Sequence, residues 1–367
     1  MSDAVIPVPL PRAARPSPAL ASIPVMIARC VRLSRRNVDA MITSLVLPIL
    51  LMLLFVYLFG GAIATGTSYV QYVVPGVVLL CAAFGAANTA VSVCQDMTGG
   101  IVDRFRSLDV PGHAILAGHV VASAVRNTVS TLLVFGVALL IGFRPHGGPL
   151  DWAAAAGVLL LFVLAISCLA AVAGLLASSP EAASGFAFAV MFLPYASSTF
   201  VPIHTMPSWL QGVARDQPVT PVVETLRGLL LGHPVGTGPW HALAWCGGIL
   251  AVAVTASGIL LLFVLAISCL AAVAGLLATS AEAASGFVFA LMFLPYPSST
   301  FVPIATMPSW LQGFARDQPV TPVVETLRGL LLGHPVGASP WHALVWCGGI
   351  LAVAAAASGV LFRRRTA

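Results

Sequence analysis

The sequence predicts an all-α integral membrane protein, a multipass helical bundle whose six-span parent is extended to about eight spans by an internal duplication. Three observations predict it. Of 367 residues, 59% are apolar and 8% charged, at a mean hydropathy of +1.00, whereas a soluble domain carries about 25% charged residues. A chain so poor in charge cannot clothe a globule in water-compatible side chains. Second, the apolar residues gather in long runs, and ~20 residues of helix cross the hydrocarbon. The runs are apolar on every side, which excludes barrel strands, and open sheet edges are not tolerated in lipid. Third, Gly157–Ser257 recurs as Gly258–Ser358 at a fixed offset of 101, with 88 of 101 positions identical. A long unit that occurs only twice is not a solenoid repeat. It reads as a recent tandem duplication inside a parent of 266 residues.

Residues 1–21 are rich in Pro and Ala and lack the apolar core of a signal peptide, so a disordered cytoplasmic tail is expected. Residues 22–38 suit an amphipathic helix lying in the membrane interface. Ile23, Ile27 and the Val31/Leu33 pair fall near one face, and Arg29, Arg32, Arg35 and Arg36 lie elsewhere, close to anionic headgroups. The plainer alternative is a basic flank to the first span.

The transmembrane domain is expected over residues 39–263, with spans Met41–Gly60, Val70–Val93, Ile115–Phe143, Trp152–Ala177, Phe186–Ile203 and Trp240–Leu260. The repeat, residues 258–358, adds Ile259–Ala278, Phe287–Ile304 and Trp341–Phe362, and residues 359–367 form a basic cytoplasmic tail.

With the N-terminus inside, Gln95–His113 faces the cytoplasm, Arg144–Leu150 the outside, Ser178–Ser184 the inside and His204–Pro239 the outside. The arginine bias agrees. The duplication complicates the count. Trp240–Ala278 is 39 residues whose strongest polar side chain is His241. As one helix it is ~58 Å long, against ~30 Å of hydrocarbon. If it crosses once, there are eight spans, with 11 arginines inside and 5 outside. If it turns near Thr255–Gly258, there are nine, and the balance falls to 10 against 6. Charge favours eight, length favours nine; we read eight.

The net charge of +5 rests on arginine alone, because the chain has no lysine. A phosphate-binding loop of the G-x-x-x-x-G-K-[ST] type needs its lysine at the β/γ-phosphates, so no such nucleotide site is expected. Nor is there an H-E-x-x-H or G-x-S-x-G motif, and the eight histidines are scattered. We expect no catalytic set, no metal site and no cofactor. Nucleic acid is not an expected partner either, since the arginines flank spans without an aromatic platform. Seven cysteines, at 30, 81, 94, 168, 246, 269 and 347, mostly lie in apolar runs and read as small buried hydrophobes.

Three segments could carry function. In the cytoplasmic loop, Gly99-Gly100 ends one helix, and Ile101, Phe105 and Leu108 then recur at i, i+4 and i+7, with Asp103, Arg104 and Arg106 opposite. This is a short amphipathic helix whose apolar ridge suits a groove on a partner, or simply its own membrane face. In the outer segment, Pro207 and Trp209 sit where an aromatic anchors at the interface. Pro218 and Pro221 bracket an expected break. Val222–Leu231 is then a short helix with Glu224 and Arg227 placed to pair. A re-entrant or surface-lying hairpin fits better than a span. Finally, Arg126 and Asn127 fall inside the third apolar run, where a charge marks a functional position by default. Arg126 either snorkels or bonds between helices, or it lines a pathway.

The motif GGIVDRFRSL after the second span, with SSTFVPI, TMPSWLQ and DQPVTPVVETLRGLLLG before the last, resembles the membrane subunit of type-2 ABC exporters, and most nearly the daunorubicin-resistance permease group. The resemblance covers roughly Ile23–Phe263 and the terminal arginines. It implies a permease of drug efflux and antibiotic resistance in the bacterial cell membrane, moving hydrophobic drugs or lipids outward, with both termini cytoplasmic. It further implies a second permease copy, the same chain as a homodimer, and a separate ATPase subunit that binds the ATP. Ile101–Leu108 would be the coupling helix, residues 22–38 the interfacial entry helix, and the outer segment the external re-entrant hairpin. The chain departs from the family in its doubled outer segment and final span. Two alternatives stay open: a non-transporting membrane scaffold or immunity subunit, and a transport-defective duplicated permease.

Overall fold

The computed structural model describes residues 19–61, 63, 68–106, 110, 112–278, 286, 293–300 and 302–366. Among them every regular element is helical. In chain order the α-helices are α1 (Ala19–Arg36), α2 (Val38–Leu54), α3 (Tyr69–Thr98), α4 (Ile101–Arg106), α5 (Gly112–Leu140), α6 (Pro149–Leu176), α7 (Pro180–Phe192), α8 (Ser208–Asp216), α9 (Val219–Leu231), α10 (Gly238–Leu277), α11 (Ser309–Asp317), α12 (Val320–Leu332) and α13 (Ser339–Thr366). Five of the described helices are long and apolar enough to cross a membrane: α3, α5, α6, and stretches of α10 and α13. The expected tail falls outside the described residues except where α1 opens at Ala19. Residues 287–292 and 301 of the expected span Phe287–Ile304 fall outside them too, while Phe293–Thr300 form turns and not a membrane-crossing helix.

The chain divides into two compact units, Met1–His146 with Ala173–Arg215, and Gly147–Val172 with Asp216–Ala367. In the first, α3 is the central element. From Tyr72 to Ala86 every residue is buried, and the helix packs against α2, α5 and α7. That is the all-round burial expected of a helix apolar on every side. Helix α1 lies along α5. Gly118 of α5 permits this approach, since a Cβ there would press on the Met26 carbonyl and Cys30 Sγ. The inward face of α1 is Ser22, Met26 and Cys30, at i, i+4 and i+8, while Ile23 and Ile27 are half-buried and Leu33 is exposed. The face is therefore rotated from the one expected. Helix α2 ends in a π-helical turn, Phe55–Phe59.

In the second unit, small residues let the helices approach. Ala253, Ala256 and Ala266 of α10 and Ala343 and Cys347 of α13 are fully or almost fully buried, in one cluster with Val172 of α6 and Val323 and Leu327 of α12. Small side chains at helix contacts are the usual solution in lipid, where close backbone packing supplies the attraction.

One alternative loses its turn and two expectations change. Helix α10 runs unbroken for 40 residues through Thr255–Gly258, so the turn that nine spans would need is absent. The expected span Phe186–Ile203 is helical only as far as Phe192. Helix α7 begins earlier, with Ser179 accepting the Ala182 N–H at 3.3 Å and Pro180 in its first turn. It gives way to a 3₁₀ turn at Leu193–Ala196 and the turn Ser197–Phe200. Pro194 cannot donate, and Ser197 Oγ bonds the Pro194 carbonyl at 2.6 Å, a local alternative to helix. At ~1.5 Å per residue, 13 residues reach ~20 Å. Finally, Pro218 and Pro221 do not bracket a break. Pro218 caps α9 and Pro221 lies in its first turn, where N–H groups have no intrahelical acceptor to lose.

The two copies of the outer segment repeat these details. Pro319 caps α12 as Pro218 caps α9, and both helices end on a glycine, Gly232 and Gly333, at φ 72° and 71°. That left-handed conformation is the usual reason for glycine at a helix C-terminus.

Candidate functional site

A polar network ties α4 to the interior of the first unit. It begins at the short cytoplasmic-loop helix. Phe105 does not point away as part of a free ridge. Its ring lies 5.0 Å beneath the Arg29 guanidinium of α1. With Ile23, Met97 and Val110 it packs on a buried cluster of Met26, Val102, Ala114 and Ile115. An apolar ridge on so short a helix is covered by the nearest apolar surface, which here is the chain's own. Ile101 and Arg104 are exposed. For Asp103 and Arg106 only the helical backbone is described, and Leu108 lies outside the described residues.

From Phe105 the network continues through Arg29. Its Nη1 and Nη2 donate to the two carboxylate oxygens of Asp96 in α3, at 2.8 and 3.2 Å. Such a two-point pair is both strong and directional. The bond to Asp96 raises the Arg29 pKa above its ordinary value, and burial pushes the neighbouring Cys30 thiol up. Asp96 Oδ2 also faces His119 Nε2 of α5 at 3.0 Å. One carboxylate thus joins three helices.

His119 opens a polar stripe along α5. His119, Ser123, Asn127 and Ser130 are all buried, and they recur at i, i+4, i+8 and i+11. Asn127 Nδ2 lies 3.4 Å from Ser123 Oγ and fits against Gly85 of α3, where a Cβ would overlap its amide. The Gly85 carbonyl collects donors: Arg126 Nη2 and Thr89 Oγ1 at 2.9 Å, and Ser123 Oγ at 3.4 Å. Arg126 also donates from Nη1 to Ser34 Oγ of α1 at 2.9 Å and from Nη2 to Thr89 Oγ1 at 3.2 Å. Of the expected roles for Arg126, the structure shows the inter-helix bond, and it also puts the side chain on a cavity wall.

The outer segment is a separate place. Trp209 is 75% exposed, Pro207 and Glu224 are exposed, Pro218 and Arg227 are half-buried, and Pro221 is buried. Nothing in it is arranged for chemistry. Among the described residues no group of three or more His, Cys, Asp or Glu is placed to hold a metal ion.

Sequence reasoning picked out Arg126, Asn127 and the α4 residues but missed Asp96 and His119. Two signals could have found them. Asp96 is an acid bordering an apolar run, facing an arginine-rich helix. The His-Ser-Asn-Ser spacing is a polar stripe at helical period on an otherwise apolar helix.

A profile of the ABC-2 type transporter family matches residues 22–231. The match opens in α1, contains the whole network and stops at the end of α9, within the first copy of the repeat. Similar proteins agree. Over 194 residues the chain is 34% identical to the daunorubicin resistance ABC transporter permease protein DrrB1 of Streptomyces coeruleorubidus, covering 52% of this chain and 69% of that one. Over 219 residues it is 26% identical to the probable doxorubicin resistance ABC transporter permease protein DrrC of Mycobacterium tuberculosis, covering 59% and 79%. The inner membrane transport permease YadH of Escherichia coli K12 is 26% identical over 200 residues, covering 52% and 77%.

Proposed function

Since this chain belongs to the ABC-2 type transporter family, a family of multipass membrane permeases, we propose that it exports hydrophobic drugs or lipids across a bacterial cell membrane, driven by ATP hydrolysis in a separate subunit. Two permease chains, the same one twice, would form the pathway, with both termini in the cytoplasm. The names of the relatives point to drug efflux, and a chain without lysine has no phosphate-binding loop of its own to supply the energy.

One observation supports a mechanism: the contact line from Phe105 through Arg29 to Asp96 and His119. A partner ATPase would seat on the exposed side of α4, at Ile101 and Arg104. Its closure would push α4 against α1. The bidentate Arg29–Asp96 pair would carry that push to α3, and His119 would carry it to α5, tilting packed helices as rigid bodies. In this reading α4 is the coupling helix, but Phe105 serves the inward half of the coupling and not the docking itself. The outer hairpins would close the external side.

The test is reconstitution of the chain with its partner ATPase in proteoliposomes, following daunorubicin efflux and drug-stimulated ATP hydrolysis. The expected result is ATP-dependent efflux by the pair and no hydrolysis by the chain alone. Ile101→Asp with Arg104→Glu is expected to weaken ATPase docking. Arg29→Gln is expected to spare docking and abolish the stimulation. Hydrolysis by the rigorously purified chain, or full stimulation with Arg29→Gln, overturns this reading.

A further inference from the structure

Two cavities in the first unit meet at Arg126. One, of about 410 Å³, is polar, with Ser34, Arg36, Asn88, Ser92, Asp96 and Arg126 in its wall. The other, of about 430 Å³, is mainly apolar, and Leu45, Val125, Val129 and Leu133 line it. Ser34 and Arg126 stand in both walls. Each volume falls in the range of about 300–1,000 Å³ usual for small-molecule sites.

The charges in the polar cavity do not balance. Asp96 is negative, but Arg29 takes it up in a two-point pair. Arg126 has no acidic partner among the described residues. Its hydrogen bonds run to Ser34 Oγ, the Gly85 carbonyl and Thr89 Oγ1, all neutral, and its buried Nε has no acceptor there. Arg36 brings a second cation to the same wall. A guanidinium withdrawn from water without a counter-anion is unfavourable, and an arriving anion relieves that cost. Guanidinium groups offer a donor fork that suits phosphate oxygens. The second cavity has Arg35, Arg126 and Ser34 on its wall, and beyond them Leu45, Val125, Val129 and Leu133 form an apolar lining that suits a hydrocarbon chain.

We propose that the joined cavities bind an anionic glycerophospholipid. Its phosphate sits against Arg126 and Arg36, and one acyl chain lies over Val125, Val129 and Leu133. The inference does not rest on the export reading, because it requires neither an ATPase nor a cargo. The lipid neutralises Arg126 and ties α1 to α2 and α5, so the site behaves as a structural lipid site.

The experiment uses the full-length chain, delipidated in neutral detergent and titrated with phosphatidylglycerol, with phosphatidylcholine of the same chains, and with inorganic phosphate. Binding is read by native mass spectrometry and by the rise in thermal midpoint that ligand linkage produces. Phosphatidylglycerol is expected to bind at least about tenfold tighter than phosphatidylcholine, and Arg126→Gln is expected to remove roughly that factor, as loss of a charged hydrogen-bonding partner should. Arg36→Gln, at an exposed position, leaves the fold alone and is expected to lower the preference severalfold. Val129→Trp, which fills the apolar cavity, is expected to weaken phosphatidylglycerol binding with both arginines intact. The proposal is overturned if the two lipids bind alike, or if neither arginine variant changes the preference. Displacement of phosphatidylglycerol by equimolar inorganic phosphate also overturns it, because the site would then take a free anion.

Discussion

The segment Ser-Ser-Thr-Phe-Val-Pro-Ile occurs twice, at residues 197–203 and 298–304, and its two copies close the same turn in different company. In both, the first serine hydroxyl bonds a proline carbonyl three residues back and pairs with the threonine hydroxyl two residues on. The first turn is seated on α3. Tyr72 donates to the Ser198 carbonyl at 2.9 Å and Tyr69 to the Phe200 carbonyl at 3.0 Å, while Phe200 stacks on Phe55 and Tyr195 at 4.3 and 5.2 Å. The second turn is closed onto its own hairpin. Arg328 Nη2 donates to the Ser299 and Thr300 carbonyls at 2.9 and 3.2 Å, and Gln318 to the Pro297 carbonyl. The shared segment, with the proline three residues before it, closes the same turn in both copies. Where it docks is set by what precedes it in the chain.

The sharpest way to break this contrast is to spoil the seat of the first turn. Gly76 of α3 faces Thr199 so closely that a Cβ would overlap the threonine side chain and approach its backbone. Gly76→Val is therefore expected to destabilise the chain by about 1–3 kcal/mol, the usual range for overpacking a core, seen as a lower thermal midpoint of the purified protein. An unchanged midpoint would mean that the turn is not held there.

Tyr72→Phe is milder. It keeps the ring and deletes one donor to a buried carbonyl, so a loss of about 1 kcal/mol is expected, and Tyr69→Phe should match it. The counterpart in the second copy is Arg328→Met. It deletes two bonds, but the side chain is exposed, water replaces the donor, and the loss should stay below about 1 kcal/mol. Equal losses for Tyr72→Phe and Arg328→Met would remove the distinction between a seated turn and a self-closed one.

The same division explains what the sequence disclosed. Helices such as α3 and α5 were legible because an apolar run in lipid has one way to satisfy its backbone. The short helix α9 was legible in outline, although Pro221 misled, since a proline that breaks a helix interior is harmless in a first turn, and α8 was read only as an interface anchor at Pro207 and Trp209. Length alone could not decide α10, because the 40-residue helix runs through Gly247-Gly248 and Ser257-Gly258 without a proline in its interior to stop it. The network was half legible. Arg126 and Asn127 are conspicuous inside an apolar run. Asp96 looked like a loop residue, and only the packing of α1 on α5 reveals that Arg29 reaches it. Phe105 had the periodicity of a docking ridge, but periodicity does not say whether the covering surface belongs to another chain or to this one.

The smallest expected effect bears most directly on position against sequence. Deleting Gly258–Ser358 or deleting Gly157–Ser257 leaves a chain of 266 residues in either case, and the products differ only among the 13 positions at which the copies differ. In the second product the turn at residues 298–304 follows α3 at the distance the first turn now has. The bonds it must make run from tyrosine hydroxyls to backbone carbonyls, which no substitution removes, and Thr300 is the same residue as Thr199. The nearest change is Pro297 for Ala196. Tyr72→Phe should therefore lower the thermal midpoints of the two products alike, with a difference under about 0.5 kcal/mol, as for changes away from special contacts. If the product retaining the second copy ignores Tyr72→Phe, the seat on α3 is encoded in those 13 substitutions, and place in the chain is not what separates the two turns.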